Sequence, residues 1–345
     1  MAAPALSPAD ALDRVVYLKD RALEESRRVM AYAKARDLVL ELGDEEIERR
    51  HADGTLQDLP GIGPSTAKVI SLALDGGIDQ YLAQLEATTA IDPGEGAELR
   101  AALKGDLHTH TYWSDGSRSV EDMARTAMAL GHEYLVVSDH SPRLTIAHGL
   151  DRERLLAQLD EIDEVRERVA PFRILTGMEV DILEDGRLDQ DDDLLERLDV
   201  VVASVHSKLS VPEPDMTRRM ILAVASPHVD VLGHCTGRQV TGNRGTRPPS
   251  EFDAAAVFAA CAEHGVAVEI NSRPERRDPP SELLALARDA GCLFSIDSDA
   301  HAPGQMEWQV YGCDKAARLG IEPERIINAW DADELLSWAD AHPTA

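Results

Sequence analysis

Residues 106–115 read DLHTHTYWSD, which sets His108 and His110 one residue apart and Asp115 five residues further on. Neutral imidazoles combined with a carboxylate are donors for a divalent ion of borderline hardness. The same residue types recur along the chain: His140 in VSDHS, Glu179 in GMEVD, His206 in SVHS, His234 in LGHC, and Asp299 with His301 in SDAH. Taken alone, each reads as an ordinary hydrogen-bonded polar residue. Nine together exceed what one ion can take and suit two or three. Cys235 adjoins His234, but alternation turns it the other way, and the all-N/O set that remains fits Zn²⁺, Mn²⁺ or Fe²⁺. His51 and His342 lie away from the motif-bearing runs, and His132, His228 and His264 fall in helices or helix-to-strand connections. His148, shortly after His140, is one further candidate.

These residues need strands to hold them. From Gly105 onward seven short apolar runs lead into DLHTH, YLVVSDH, ILTGMEVD, VVVASVH, VDVLGHC, VAVEINS and LFSIDSDAH. Amphipathic helical stretches at 119–130, 151–169, 214–225, 251–264 and 281–290 separate most of them. Buried strands alternating with helices imply parallel pairing through crossovers, and seven or eight such units fit a barrel of the TIM type. Six of the seven runs carry a histidine or a carboxylate at the C-terminal end, VAVEINS being the exception. Strand C-termini share one face in such a barrel, so these residues converge there.

Residues 10 to about 90 have helical periodicity throughout. Within them LPGIGPSTAKVI marks a glycine turn opening a helix, where backbone N–H groups of Gly61 and Gly63, with Lys68 near, can hold a phosphate. The expected organisation is a helical domain over 1–95, a linker over 96–104 and the barrel over 105–345. The net charge is −28, and residues 10–100 count 11 basic against 19 acidic side chains, so any DNA contact must be local. No apolar run reaches the ~20 residues of a membrane span. The N-terminus is acidic where a secretory signal would be basic, and four cysteines without CxxC spacing read as reduced core residues, so a cytoplasmic protein is expected.

The motifs DLHTHTYWSDG, VSDHS, GMEVDI, SVHS, LGH and SDAH resemble those of the polymerase and histidinol phosphatase (PHP) family of metal-dependent phosphoesterases, over about residues 104–340. The resemblance implies a distorted (β/α)7 TIM-like barrel with a trinuclear site. In that pattern His108, His110, Glu179 and Asp299 hold one ion. Glu179 bridges to a second held by His206 and His234, and Asp115, His140 and His301 hold the third. Glu179, Asp299 and His301 would sit at the catalytic centre. The chain is most similar to the PHP domain of bacterial X-family DNA polymerases, through DHSPRLTIAHGL, SVHSKL and VEINS, and its helix-hairpin-helix resembles their first domain. There the PHP domain is associated with 3′–5′ exonuclease and DNA-end processing. No nucleotidyl-transfer palm fits between residues 90 and 105.

Clustered divalent ions supply what phosphoester hydrolysis needs, an acidified water and relief of developing charge, so no protein nucleophile is required. Lys208, Arg238, Arg143 and Arg273 follow the strand ends and could hold the rest of the substrate. The hairpin favours a 3′–5′ exonuclease or DNA-end phosphoesterase. The acidity favours a small-molecule phosphatase of the histidinol-phosphatase type. A purely structural metal site fits poorly, because structural zinc sites are closed four-ligand units.

Overall fold

The computed structural model describes residues 6–242 and 245–341, and His342 lies outside them. The chain divides into two compact units, one ending at Ile91 and one beginning at Asp92. Among the described residues no helix is long and apolar enough to cross a membrane.

The first unit holds helices α1 (Pro8–Arg21), α2 (Ser26–Leu42), α3 (Asp44–Ala52), α4 (Pro64–Asp75) and α5 (Ile78–Thr89). Ser7 caps α1 by accepting from the Asp10 N–H. Leu12, Val15, Val16 and Leu18 then bury the apolar side of α1. α2, α4 and α5 pack around it. Arg21 is buried and ties α1 to α5, donating to Glu86 and to the Thr89 hydroxyl at 2.6 Å each.

The second unit opens with α6 (Ala97–Ala102), which occupies most of the segment that composition marks as a linker. This short helix packs on α13 (Gln309–Arg318), so the segment is part of the barrel unit. Strands β1 (Gly105–Asp106), β2 (Tyr134–Val137), β3 (Arg173–Asp181), β4 (Val200–Ser204), β5 (Val231–Leu232), β6 (Ala267–Asn271) and β7 (Phe294–Asp297) form one sheet. All neighbours are parallel and the spatial order follows the sequence. Between them run α7 (Val120–Ala129), α8 (Arg152–Val169), α9 (Asp192–Leu195), α10 (Glu213–Val224), α11 (Ala254–His264) and α12 (Ser281–Asp289).

Period-two alternation divides each strand between two cores. Leu135, Val137, Ile174, Val201 and Ala203 face the helices. Tyr134, Val136, Leu175, Val200, Val202, Val231 and Ala267 fill a second cluster, which Ile327, Ala332 and Leu335 complete; the last two belong to α14 (Ala332–Ala339). Gly177 continues the inward parity of Leu175. A Cβ there would meet Val136 Cγ1 at 2.5 Å and the Val200 carbonyl at 2.7 Å, so glycine is required by close approach.

The barrel closes through side chains. Among the described residues no ladder joins β1 to β7, and just beyond them Thr109 and Ala300 form an isolated parallel bridge. Below it, the buried Asn328 amide accepts from the Ile296 N–H at 2.7 Å and donates to the Gly105 and Ile296 carbonyls and to Asp297. Gln309 donates to the same two carbonyls. Two amides thereby satisfy backbone groups that a strand partner would otherwise take. Asn328→Ala leaves the buried Ile296 N–H unpaired, at about 1–3 kcal/mol, and removes a second donor from the Gly105 and Ile296 carbonyls and from Asp297. The expected loss, read by denaturant unfolding, is about 3 kcal/mol of stability; a loss under 1 kcal/mol would mean that the seam does not depend on this amide.

Candidate metal centre

As the strands rise, their inward positions change from apolar to ionisable. Leu175 and Gly177 lead to Glu179, Val200 and Val202 to His206, and Ala267 to Glu269 and Asn271. All nine residues expected from the motifs meet at this end. Donor atoms within 4.8 Å of one another form four overlapping groups: His110, Asp115, His140 and His301; His108, His110 and Asp299; His108, Glu179 and His234; His140, Glu179 and His206. Six of the nine are buried, His206 and His301 keep 11% and 20% of their side chains exposed, and Asp115 forms the open rim.

Glu179 sits at the centre. Its Oε1 lies 3.2 Å from His206 Nε2 and 2.7 Å from His234 Nε2. Its Oε2 lies 3.2 Å from His108 Nε2, 3.6 Å from His110 Nε2 and 2.9 Å from His140 Nδ1. Ligand atoms about 2.1 Å from one tetrahedral ion stand about 3.4 Å apart, so most of these separations match atoms sharing a cation. Direct hydrogen bonds do not explain the closeness. Glu179 Oε1, His108 Nε2, both nitrogens of His110, His206 and His234, and His140 Nδ1 are buried with no hydrogen-bond partner among the described residues. Orphaned donors and acceptors at this density are costly unless a cation completes them, so the residues present fit two or three divalent ions.

Electrostatics agrees. Burial would raise the Glu179 carboxyl, yet the imidazoles of His108, His206, His140 and His234 hold it well below its usual range. Burial opposes Asp299 as well, and the His110 imidazole 3.5 Å away with the charges of Arg273, His108 and Arg276 keeps it low. Burial disfavours the His206 imidazolium, but the Glu179 and Asp181 carboxylates push it up to about 9. Burial and the nearby Arg276 charge hold His234 down to about 4. The carboxylates draw positive charge into the cluster, and a divalent ion supplies that charge without protonating its ligands.

A surrounding layer aims these ligands. Glu269, fully buried in β6, accepts from His108 Nδ1 at 2.6 Å with one oxygen and from the His234 backbone N–H with the other. Asp181 Oδ1 lies 3.5 Å from His206 Nδ1. The Glu269–His108 contact keeps that imidazole's proton on Nδ1 and turns its Nε2 toward the cluster, and the Asp181 carboxylate faces the Nδ1 side of His206. Arg276 Nε donates to Asp299 Oδ2 at 3.1 Å, and Arg273 reaches the Asp299 carbonyl and His301 Nδ1 at 2.9 Å each. The motifs did not single out Glu269 or Arg276. The signal available was that a carboxylate stood within the apolar run VAVEINS, the one run without a strand-end ligand.

Other candidates sit elsewhere. Arg238 points its guanidinium at the Arg276 and Arg277 carbonyls, so it braces that loop. Arg143 is exposed and leans on Asp189 at 3.6 Å, and Lys208 is exposed two residues beyond His206. Asp189 accepts from the Ser141 hydroxyl and the Arg143 N–H. His148 is exposed in a left-handed turn outside every donor group. In the helical unit Gly61 has φ +97°, whereas Gly63 has an ordinary φ of −94°. The Gly63 N–H already donates to Thr66 Oγ1 at 2.9 Å, which removes it as a phosphate donor. Lys68 is exposed and lies over the Tyr81 ring at 5.3 Å.

Comparison with known proteins agrees with this geometry. The PHP domain family model matches residues 106–273. The DNA polymerase/3′-5′ exonuclease PolX of Bacillus subtilis is 38% identical over 244 residues, covering 71% of this chain and 42% of that protein, so the chain spans less than half of that relative. A "Probable phosphatase" of Thermoanaerobacter is 31% identical over 57% of this chain and 78% of its own length. "Probable phosphatase YcdX" of Escherichia coli is 30% identical over 65% and 89%. A histidinol phosphate phosphatase of Lactococcus lactis, solved with zinc, L-histidinol and phosphate, covers 62% of this chain and 93% of its own at 17% identity and a TM-score of 0.44. The chain belongs to the PHP family and is a metal-dependent hydrolase of phosphoester bonds.

Glu269 offers a test of the aiming layer. Both of its oxygens must accept, one from His108 and one from His234, and a glutamine of the same size can accept on only one arm. Glu269→Gln should therefore weaken metal binding about 10- to 100-fold in a chelator-competition titration while the fold stays intact by circular dichroism. Unchanged affinity would remove Glu269 from the design of the site.

Proposed function

We propose that the chain hydrolyses phosphodiesters at DNA ends, as a 3′–5′ exonuclease or end-processing phosphoesterase. The nine residues would hold two or three ions of zinc, manganese or iron, with Glu179 bridging. The observation that carries the ion count is the division of Glu179: one oxygen faces His206 and His234, the other His108, His110 and His140. Bound ions supply an acidified water and positive charge against the phosphoryl oxygens. The chain's own groups do the rest. Glu269 fixes the His108 tautomer, Asp181 sets a negative charge beside His206, Arg273 and Arg276 hold Asp299, and the remaining guanidinium N–H groups of Arg276 can take a phosphoryl oxygen. Substrate approaches from the side of Asp115 and His301, which are 35% and 20% exposed at the side chain, where Asp299 is 2% exposed.

The DNA assignment draws support from the exonuclease relative and from the glycine hairpin. Around the hairpin, Gly61 supplies the left-handed turn and the first turn of α4 and Lys68 are its exposed positive features. Most basic residues of that unit are already paired, among them Arg14, Arg21, Arg28, Arg36, Arg49 and Arg50. That pairing, with the net charge of −28, favours the second assignment, a small-molecule phosphatase of the histidinol-phosphatase type. We place the protein in the cytoplasm, since its four cysteines are free and buried.

Metal-loaded protein should be assayed on a single-stranded oligonucleotide, histidinol phosphate and p-nitrophenyl phosphate. Lys68→Ala should raise KM for the oligonucleotide several-fold and reduce its logarithmic salt slope by about 0.7, with aryl phosphate turnover unchanged. Gly61→Val should act alike through the lost left-handed turn. Turnover of histidinol phosphate with none of the oligonucleotide would establish the second assignment instead.

A further inference from the structure

We infer that Tyr112 is a stacking platform for a nucleobase of a single-stranded substrate; this rests on the nucleic-acid assignment above. Tyr112 lies two residues after His110 and three before Asp115, so its Cα is within about 8 Å and 11 Å of theirs. The loop is fixed from below. Thr111 donates to the buried Asp139 through its N–H at 2.8 Å and its hydroxyl at 2.6 Å, Ser114 donates to the same carboxylate, and Asp139 precedes His140. The Tyr112 N–H donates to the Arg118 carbonyl at 2.8 Å, which closes the loop around Asp115.

The ring itself is fixed from beside. Trp113 packs on the barrel core, and its Nε1 donates to Glu161 Oε2 at 2.8 Å. Tyr112 stacks on Trp113 with centroids 5.9 Å apart and planes 21° from parallel, and its hydroxyl donates to the same Glu161 oxygen. One carboxylate thus consumes both polar tips. What remains for a ligand is aromatic surface, and Tyr112 keeps 50% of its surface exposed. A buried structural role does not need that exposure, and a polar recognition role would need the hydroxyl. A rigid ring held open beside a phosphoesterase centre matches the way proteins hold single strands, by stacking bases of any sequence while the backbone is tracked separately. The ring adds little conformational entropy cost, because Glu161 and Trp113 have already ordered it.

The test uses full-length, metal-loaded protein and compares Tyr112→Leu with Tyr112→Phe. Substrates are single-stranded oligothymidylate, the same strand carrying an abasic residue at either of its last two 3′ positions, and p-nitrophenyl phosphate. Tyr112→Leu should raise KM for the normal strand about 5- to 100-fold, the usual range for one stacked base, with kcat nearly unchanged. Tyr112→Phe should stay within a few-fold of wild type. An abasic residue at the stacked position should cost wild type the same factor and cost Tyr112→Leu nothing. Aryl phosphate turnover should be the same in all three proteins. If wild type cleaves the strand but Tyr112→Leu keeps KM within two-fold, the platform is wrong and the nucleic-acid assignment stands. If wild type cleaves aryl phosphate and no strand, the assignment fails and the platform fails with it.

Discussion

The architecture turns on one carboxylate. Glu179 is buried at the mouth of the barrel with five imidazoles directed at its two oxygens at 2.7–3.6 Å. Several of those nitrogens hydrogen-bond to nothing among the described residues. Burying donors and acceptors without hydrogen-bond partners is destabilising unless cations complete them. The fold must therefore hold these groups in place against their own desolvation, and most of its distinctive features serve that end.

The barrel does so in layers. Its lower interior is apolar and closed by Ile327 and α14, which gives the strands a rigid base. Above this floor the same inward parity delivers Glu179, His206, Glu269 and Asn271 to the barrel mouth. The seam between β1 and β7 is where regular pairing lapses, and it is also where His108, His110, Asp299 and His301 emerge. Asn328 and Gln309 substitute for strand bonds there, so the two ligand pairs are positioned by side-chain amides rather than by a continuous ladder. Asp299 departs in a left-handed conformation, φ +53°, stabilised by bonds from Asn271 and Arg276.

Much of this was legible in the sequence because alternation and strand-end chemistry are local signals. The HxH pair, the carboxylate in GMEVD and the DxH pair each announce a strand terminus, and the helices between them follow the expected intervals closely. What the sequence concealed depends on long-range contacts. Glu269 lies within an apolar run and gains its role only because β6 passes behind His108, 161 residues away in the chain. Arg238 follows a ligand strand as a substrate contact would, but two backbone carbonyls of a neighbouring loop capture it. The segment 96–104 looks like a linker by composition because α6 is short and its packing partner, α13, lies over 200 residues on. Gly61 and Gly63 look equivalent in the motif, and only the backbone distinguishes the one that needs glycine.

We propose that the two oxygens of Glu179 serve different ions. Anomalous diffraction from crystals grown with manganese measures this directly. At least two peaks are expected inside the barrel mouth, one bound by Glu179 Oε1 with His206 and His234, another by Glu179 Oε2 with His108. A single ion, or ions that touch neither oxygen of Glu179, would contradict it.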